Sequence, residues 1–414
     1  MSTEQSNDRT ATRRWPLLML SVPASLAVGV VAVACASEGE AQPEQPQEPQ
    51  VIQVPDSGDA TDDAATDGGA DPADGGIIPG GSCSDSGICS VDVPLDAPVN
   101  LTSVWGSGPN DVWAVGTAGT ILHYDGTKWE RADLEAQDAG TDFTLQAVWL
   151  DRPDDVWIAD GARIRHTNGW NGPTGTEWQI YSYAATAPTI SGIRGKDGMI
   201  WMSRRRATGA TAGGAVVRVG DWVDGGPSST TLYGPTTAQY TFSAVAVGRA
   251  DEAWAVGISP SSTAIPRPPT RVLRVVQVPP VTDGGAPTWR VDEVSTFTTK
   301  QLYGVWASDT QVWIVGEGGL IRRASTVDTP ELEIVDAPTQ LDLRGVFGFA
   351  NDDIWAVGEQ GTIVHWDGES WTSVATPLDD MPDRPLLMSV WGSSPNDVWF
   401  SGSGVMLHLE RKTP

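Results

Sequence analysis

Beyond residue 90, short apolar runs alternate with breaks rich in Gly, Pro, Asn and Asp. LTSVW at 101–105, DVWAVG at 111–116 and TILHYDG at 120–126 are too short for helices and alternate apolar with small or polar side chains. The turn residues between them suit hairpins, and a fourth run starts at Trp129, so the stretch predicts a meander of four strands.

The same unit is then written again. LTSVWGSGPNDVWAVG at 101 is followed by LQAVWLDRPDDVWIAD at 145, ISGIRGKDGMIWMS at 190, FSAVAVGRADEAWAVG at 242, LYGVWASDTQVWIVG at 302, LRGVFGFANDDIWAVG at 343 and LMSVWGSSPNDVWFSG at 387, seven copies in all. Their shared Trp113, Trp157, Trp201, Trp254, Trp313, Trp355 and Trp399 recur about every 44 residues, with two longer intervals. A period of roughly 40 to 50 that holds several strands marks a β-propeller.

A further Trp opens the fourth run at 129, 178, 222, 289 and 371, and is missing in the fifth unit. Stacked blades cover both faces of a central strand, so these flat indoles are expected to fill the space between sheets. The last unit stops at Pro414 without a fourth run, whereas ICSVDVPLDAP at 88–98 reads like the end of other units. That segment is expected to pair with the C-terminal hairpin, closing the ring and hiding both sheet edges. The expected fold class is all-β: a seven-bladed β-propeller of four-stranded antiparallel blades over 83–414, its last blade completed by an N-terminal strand.

Composition agrees with this. The 19 Trp, 46 Gly and 30 Pro among 414 residues favour short strands and turns over helices, and 40% hydrophobic content suffices for a core. A formal charge of -27 argues against nucleic acid as a partner, because phosphate binding needs a clustered basic surface.

Ahead of the repeats, Arg9, Arg13 and Arg14 precede an uncharged run from Trp15 to Ala34, and VAVAC ends at Cys35. A basic start, an apolar stretch and small residues describe an export signal, 1–35, whose Arg13-Arg14 pair leaves the route open between the general and twin-arginine pathways. The small residues before Cys35 resemble a bacterial lipobox, which implies acylation at Cys35 and a lipid anchor in the cell envelope, at the outer membrane or surface. Residues 36–82 are acidic, rich in Pro, Gly and Ala, and lack any basic or aromatic residue, so they read as a disordered, self-repelling linker. Cys83 and Cys89 form an even, closely spaced pair that reads as a disulfide in an oxidising compartment, and two cysteines are too few for structural zinc.

Units of the form V-W-G-x-x-x-N-D-V-W-A-V-G-x-x-G-T-I-x-H-x-D-G-x-x-W resemble the Trp-rich propeller repeats of exported bacterial lipoproteins. GTILHYDGTKW at 119–129 and GTIVHWDGESW at 361–371 are also similar to the Asp-box (BNR) class, including photosystem II assembly-factor-like propellers. The resemblance spans 88–414 and implies an architecture rather than an activity, since such propellers host hydrolases, adhesins and assembly factors. No arginine triad with a Tyr and a Glu can be assigned, as a sialidase would require.

His123, His166, His365 and His408 all fall at one position of the third strand, where other units have Arg218, Arg274 and Arg323. Ligands of one metal or a catalytic base would converge, whereas these are spread round a ring. A structural role is expected, each pairing with the carboxylate ahead of the second strand: Asp111, Asp155, Glu252, Asp353 or Asp397. No nucleophile, metal-protease or nucleotide-binding motif occurs, so no cofactor, metal or catalytic residue is expected. Long connections in the third and fourth units are expected to raise a lobe that carries Arg204, Arg205, Arg206, Tyr233, Tyr240 and Arg267, residue types enriched where partners dock. The reading is a monomeric, non-enzymatic module for an envelope or extracellular protein or polysaccharide. The alternative is a carbohydrate-active enzyme of the Asp-box class, which would show acidic pairs in a funnel.

Overall fold

The described residues of the computed structural model are 80–411, except 96, 133–142, 162, 184–188, 206–213, 224–225, 235–240, 259–269, 281–286 and 328–329, and the side chains of 221–223 and 258. The signal segment, Cys35 and nearly all of the linker therefore lie outside them.

Described residues build seven four-stranded antiparallel sheets. Leu101–Gly108, Asp111–Gly116, Ile121–Tyr124 and Trp129–Arg131 make blade 1, with strands A, B, C and D in that spatial order, and the next five blades repeat it. Strand A of each blade packs beside strand A of the next, and Leu101–Gly108 packs beside Leu387–Ser394 of blade 7, so the ring closes. Blade 7 takes three strands from the C-terminal end and Ile88–Ser90 as its outermost strand. Ile88 stands opposite Leu409, Cys89 opposite His408 and Ser90 opposite Leu407. Ile88 is fully buried, and Cys83, just upstream, has its sulfur 2.08 Å from that of Cys89.

Two aromatic interlocks hold neighbouring blades. In the first, the strand B Trp of one blade meets the strand D Trp of the next, nearly edge to face. Trp399 and Trp129 have ring centroids 5.2 Å apart, Trp113 and Trp178 6.1 Å, Trp201 and Trp289 4.9 Å, and Trp313 and Trp371 5.6 Å. This geometry suits the ring quadrupoles and buries large apolar area. Nearer the axis, the strand A Trp of one blade covers the glycine after the equivalent residue of the next. A Cβ on Gly106 would meet Trp391 at 2.6 Å, and one on Gly195 would meet Trp149 at 2.7 Å. The glycine in V-W-G is thus a seat for the preceding blade's indole.

Blade 3 departs from the expected layout. Trp222 does not open its fourth strand; it sits near the end of strand C, Ala215–Val223, opposite Pro227. Strand D is Gly226–Tyr233, which belongs to one of the long connections expected around the third and fourth units. The outermost strand of a blade has one solvated face and a free edge, so hydroxyl-rich GPSSTTLY can form it, and Pro is tolerated there.

Candidate functional site

The repeat His and Arg residues stand directly across from the strand B Trp in every blade: Trp113 opposite His123, Trp157 opposite His166, Trp201 opposite Arg218, Trp254 opposite Arg274, Trp313 opposite Arg323, Trp355 opposite His365 and Trp399 opposite His408. The imidazole Nε2 lies 2.9 Å from Asp111 Oδ1 for His123, 2.8 Å from Asp155 for His166, 2.7 Å from Asp353 for His365 and 2.6 Å from Asp397 for His408. In three of these blades the same carboxylate oxygen accepts the indole N–H of Trp113, Trp157 or Trp355. Blade 4 substitutes Glu252, which accepts from Trp254 and from Arg274. In blades 1, 2, 4 and 6 the group is a small clamp of Trp, carboxylate and His or Arg inside its own blade, and the histidines do not converge. Among the described residues, no three His, Cys, Asp or Glu are grouped to hold a metal.

The Asp-box-like turns serve the backbone too. Asp125 Oδ1 accepts from the Thr127 hydroxyl and from the N–H groups of Lys128 and Thr127, and these bonds, the hydroxyl's foremost, bring its pKa down to about 2. Asp367 does the same with Glu369 and Ser370.

A cavity of about 150 Å³ follows the ring axis, lined by strand A of all seven blades. Its mouth is formed by a residue near the start of each such strand, the second in five blades and the third in blades 3 and 4: Thr102, Gln146, Ser191, Ser243, Tyr303, Arg344 and Met388. Three of these hydroxyls tie one blade to the next: Thr102 Oγ1 donates to Leu145 O at 2.5 Å, Ser191 Oγ to Phe242 O at 2.6 Å and Ser243 Oγ to Leu302 O at 2.7 Å. Arg344 lies 4.0 Å over the Tyr303 ring and pairs with Asp342 at 3.0 Å and Glu359 at 2.9 Å. At the other end of the strands Trp105 from blade 1 meets Phe347 from blade 6 with centroids 5.6 Å apart, and Arg194 from blade 3 lies 4.1 Å over Trp105. Each of these contacts passes over one intervening blade, and of the three residues only Arg194 lines the cavity.

On the mouth side, the connection into the strand that carries Tyr303 holds Phe297, which is 90% exposed and has φ 48°. Left-handed backbone is costly for a bulky residue and persists only where the surroundings fix it. Here threonines do so: Thr296 Oγ1 donates to Thr270 O at 3.0 Å, and Thr270 N–H to Thr298 O at 3.1 Å, with Thr270 and Thr296 both buried.

The expected lobe needs correction. Arg204 is not on a loop but in strand B of blade 3, Met199–Arg205, 9% exposed, with its guanidinium 3.8 Å over the Tyr183 ring. Burial lowers its pKa, and the arginine packs inward as a blade component because its stem and planar head cover the Tyr ring. Tyr233 ends strand D of that blade, packs edge-on against Phe242 and donates its hydroxyl to Glu293 at 3.1 Å. Arg205 is exposed at its strand end, and Arg206, Tyr240 and Arg267 lie outside the described residues. Phe297 and the axial Arg194 were not anticipated. The first is a single aromatic in the polar string STFTTK, and the second stands where most repeats have Trp or Phe, a departure visible in the aligned units.

The chain is a seven-bladed β-propeller. No family model and no curated protein sequence matches it. Solved propellers do: YCF48 bound to a D1 peptide has a TM-score of 0.58 at 15% identity, over 79% of this chain and 97% of that one. YCF48 from Cyanidioschyzon merolae gives 0.56 at 16%, over 78% and 99%, and the WD40 propeller domain of Doa1 gives 0.54 at 14%, over 77% and 97%. At such identities the likeness is one of fold.

Proposed function

We propose that the chain is a lipid-anchored envelope protein whose propeller is a non-enzymatic docking module for a protein partner, engaged through the mouth face. The observation that carries this reading is Phe297: a strained, clamped aromatic exposed to water has no role in the blade and suits a contact that another surface covers. Burying it would contribute about 1.5–3 kcal/mol to an interface. The repeat carboxylates and imidazoles are already occupied in clamps, which argues against the carbohydrate-active alternative. A solved neighbour of the same fold holds a peptide, which supports protein as the partner class.

The test is capture from envelope extracts with the full chain and with Phe297→Gly. Glycine accepts φ 48° without strain, so the variant is expected to melt no lower and to bind its partner at least about tenfold more weakly. An unchanged set of captured proteins would discard the docking face. Labelled-lipid incorporation, lost in Cys35→Ala, tests the anchor separately.

A further inference from the structure

We infer that the axial channel is a binding site for a small carboxylate, with Arg194 as the group that receives it. This does not rest on docking through Phe297.

Arg194 occupies a strand A position where other blades carry Trp, Phe or Ala. Its Nη1 donates to Ile193 O at 2.7 Å and Val148 O at 3.4 Å, and its guanidinium stacks on Trp105, but no carboxylate among the described residues pairs with it. The cavity lining holds two guanidinium groups and no carboxylate, although the chain has 53 Asp and Glu against 26 Lys and Arg. Of those two, Arg344 has Asp342 and Glu359. Arg194 has no counter-ion among the described residues.

A half-buried cation without a carboxylate partner among the described residues is costly to keep, and the chain retains it on the wall of a cavity. Burial lowers its pKa to about 10, so it remains cationic at neutral pH. A planar guanidinium receives a carboxylate through two parallel N–H bonds. One unpaired cation balances one negative charge, which favours a monoanion over phosphate. Val245, Val305 and Val390 on the same walls suit an apolar stem of a few carbons. At about 150 Å³ the space holds only a few water volumes of about 30 Å³ each, so the ligand is a short acid or the free terminus of a chain entering from the mouth.

Calorimetric titration of the full chain with butyrate, with a Gly-Gly-Val tripeptide and with its C-terminal amide tests this, with chloride as the control. The expected result is saturable binding of one carboxylate. Butyrate binding alone identifies a free acid as the source, and binding of the free tripeptide but not the amide identifies a chain end. Arg194→Met should weaken binding at least about 30-fold and melt no lower, since it removes a half-buried charge that no described carboxylate pairs. Arg194→Lys keeps the charge without the fork and should bind about tenfold more weakly. Heats no greater than those of chloride, or affinity unchanged in either variant, would overturn the site.

Discussion

Asp111, Asp155 and Asp353 each hold an indole N–H and an imidazole on one carboxylate oxygen, so a single negative charge orients both the interlocking Trp and its cross-strand partner. Burial opposes ionisation of Asp155, yet the hydrogen bonds from His166 and Trp157 outweigh it, and its pKa falls below the ordinary 3.8. A carboxylate whose folded pKa lies below its unfolded one stabilises the fold above about pH 4 and loses that contribution as the pH falls through the folded value. Asp155→Asn is therefore expected to be about 1–2 kcal/mol less stable at pH 6, with the difference from the unmodified chain vanishing at low pH, as read from urea midpoints across pH. An equal deficit at every pH would show that charge is not what Asp155 supplies. These clamps were legible because their parts recur at fixed offsets. Phe297 was not, because an irregular connection has no period and its φ cannot be read from STFTTK.

Strands A and B were predicted well because both are covered on two faces and their apolar residues repeat. Strand D of blade 3 was missed because solvent on its outer side leaves Ser228–Thr231 free to be polar, which looks like a loop in sequence. Repetition also marked V-W-G without revealing why glycine follows the Trp. The reason lies in the adjacent blade: the indole of Trp391 lies where a Gly106 side chain would be, and Asp111 O approaches the same point at 2.5 Å. Gly106→Ala should consequently cost about 1–3 kcal/mol through overpacking at the seam between blades 1 and 7, measured by thermal unfolding. A variant as stable as the unmodified chain would mean that the seam can open without loss.

At the scale of the whole molecule, closure was readable because the final unit lacks a fourth strand and 88–98 supplies one. The lobe was not, because spacing cannot tell that the Arg204 side chain turns inward onto Tyr183. Closure depends on a strand of only three residues, Ile88–Ser90, anchored by one fully buried side chain. Ile88→Ala is expected to lose about 2–5 kcal/mol in urea denaturation, with blade 7 exchanging amide hydrogens before blade 4 does. Uniform exchange round the ring would argue that the latch is not the weak point. The bond between Cys83 and Cys89 also settles how a mechanical load would travel. Tension arriving along the N-terminal segment crosses from sulfur to sulfur and enters the ring at the middle of the strand, so residues 84–88 carry no force and Ile88 keeps its seat while the chain is pulled.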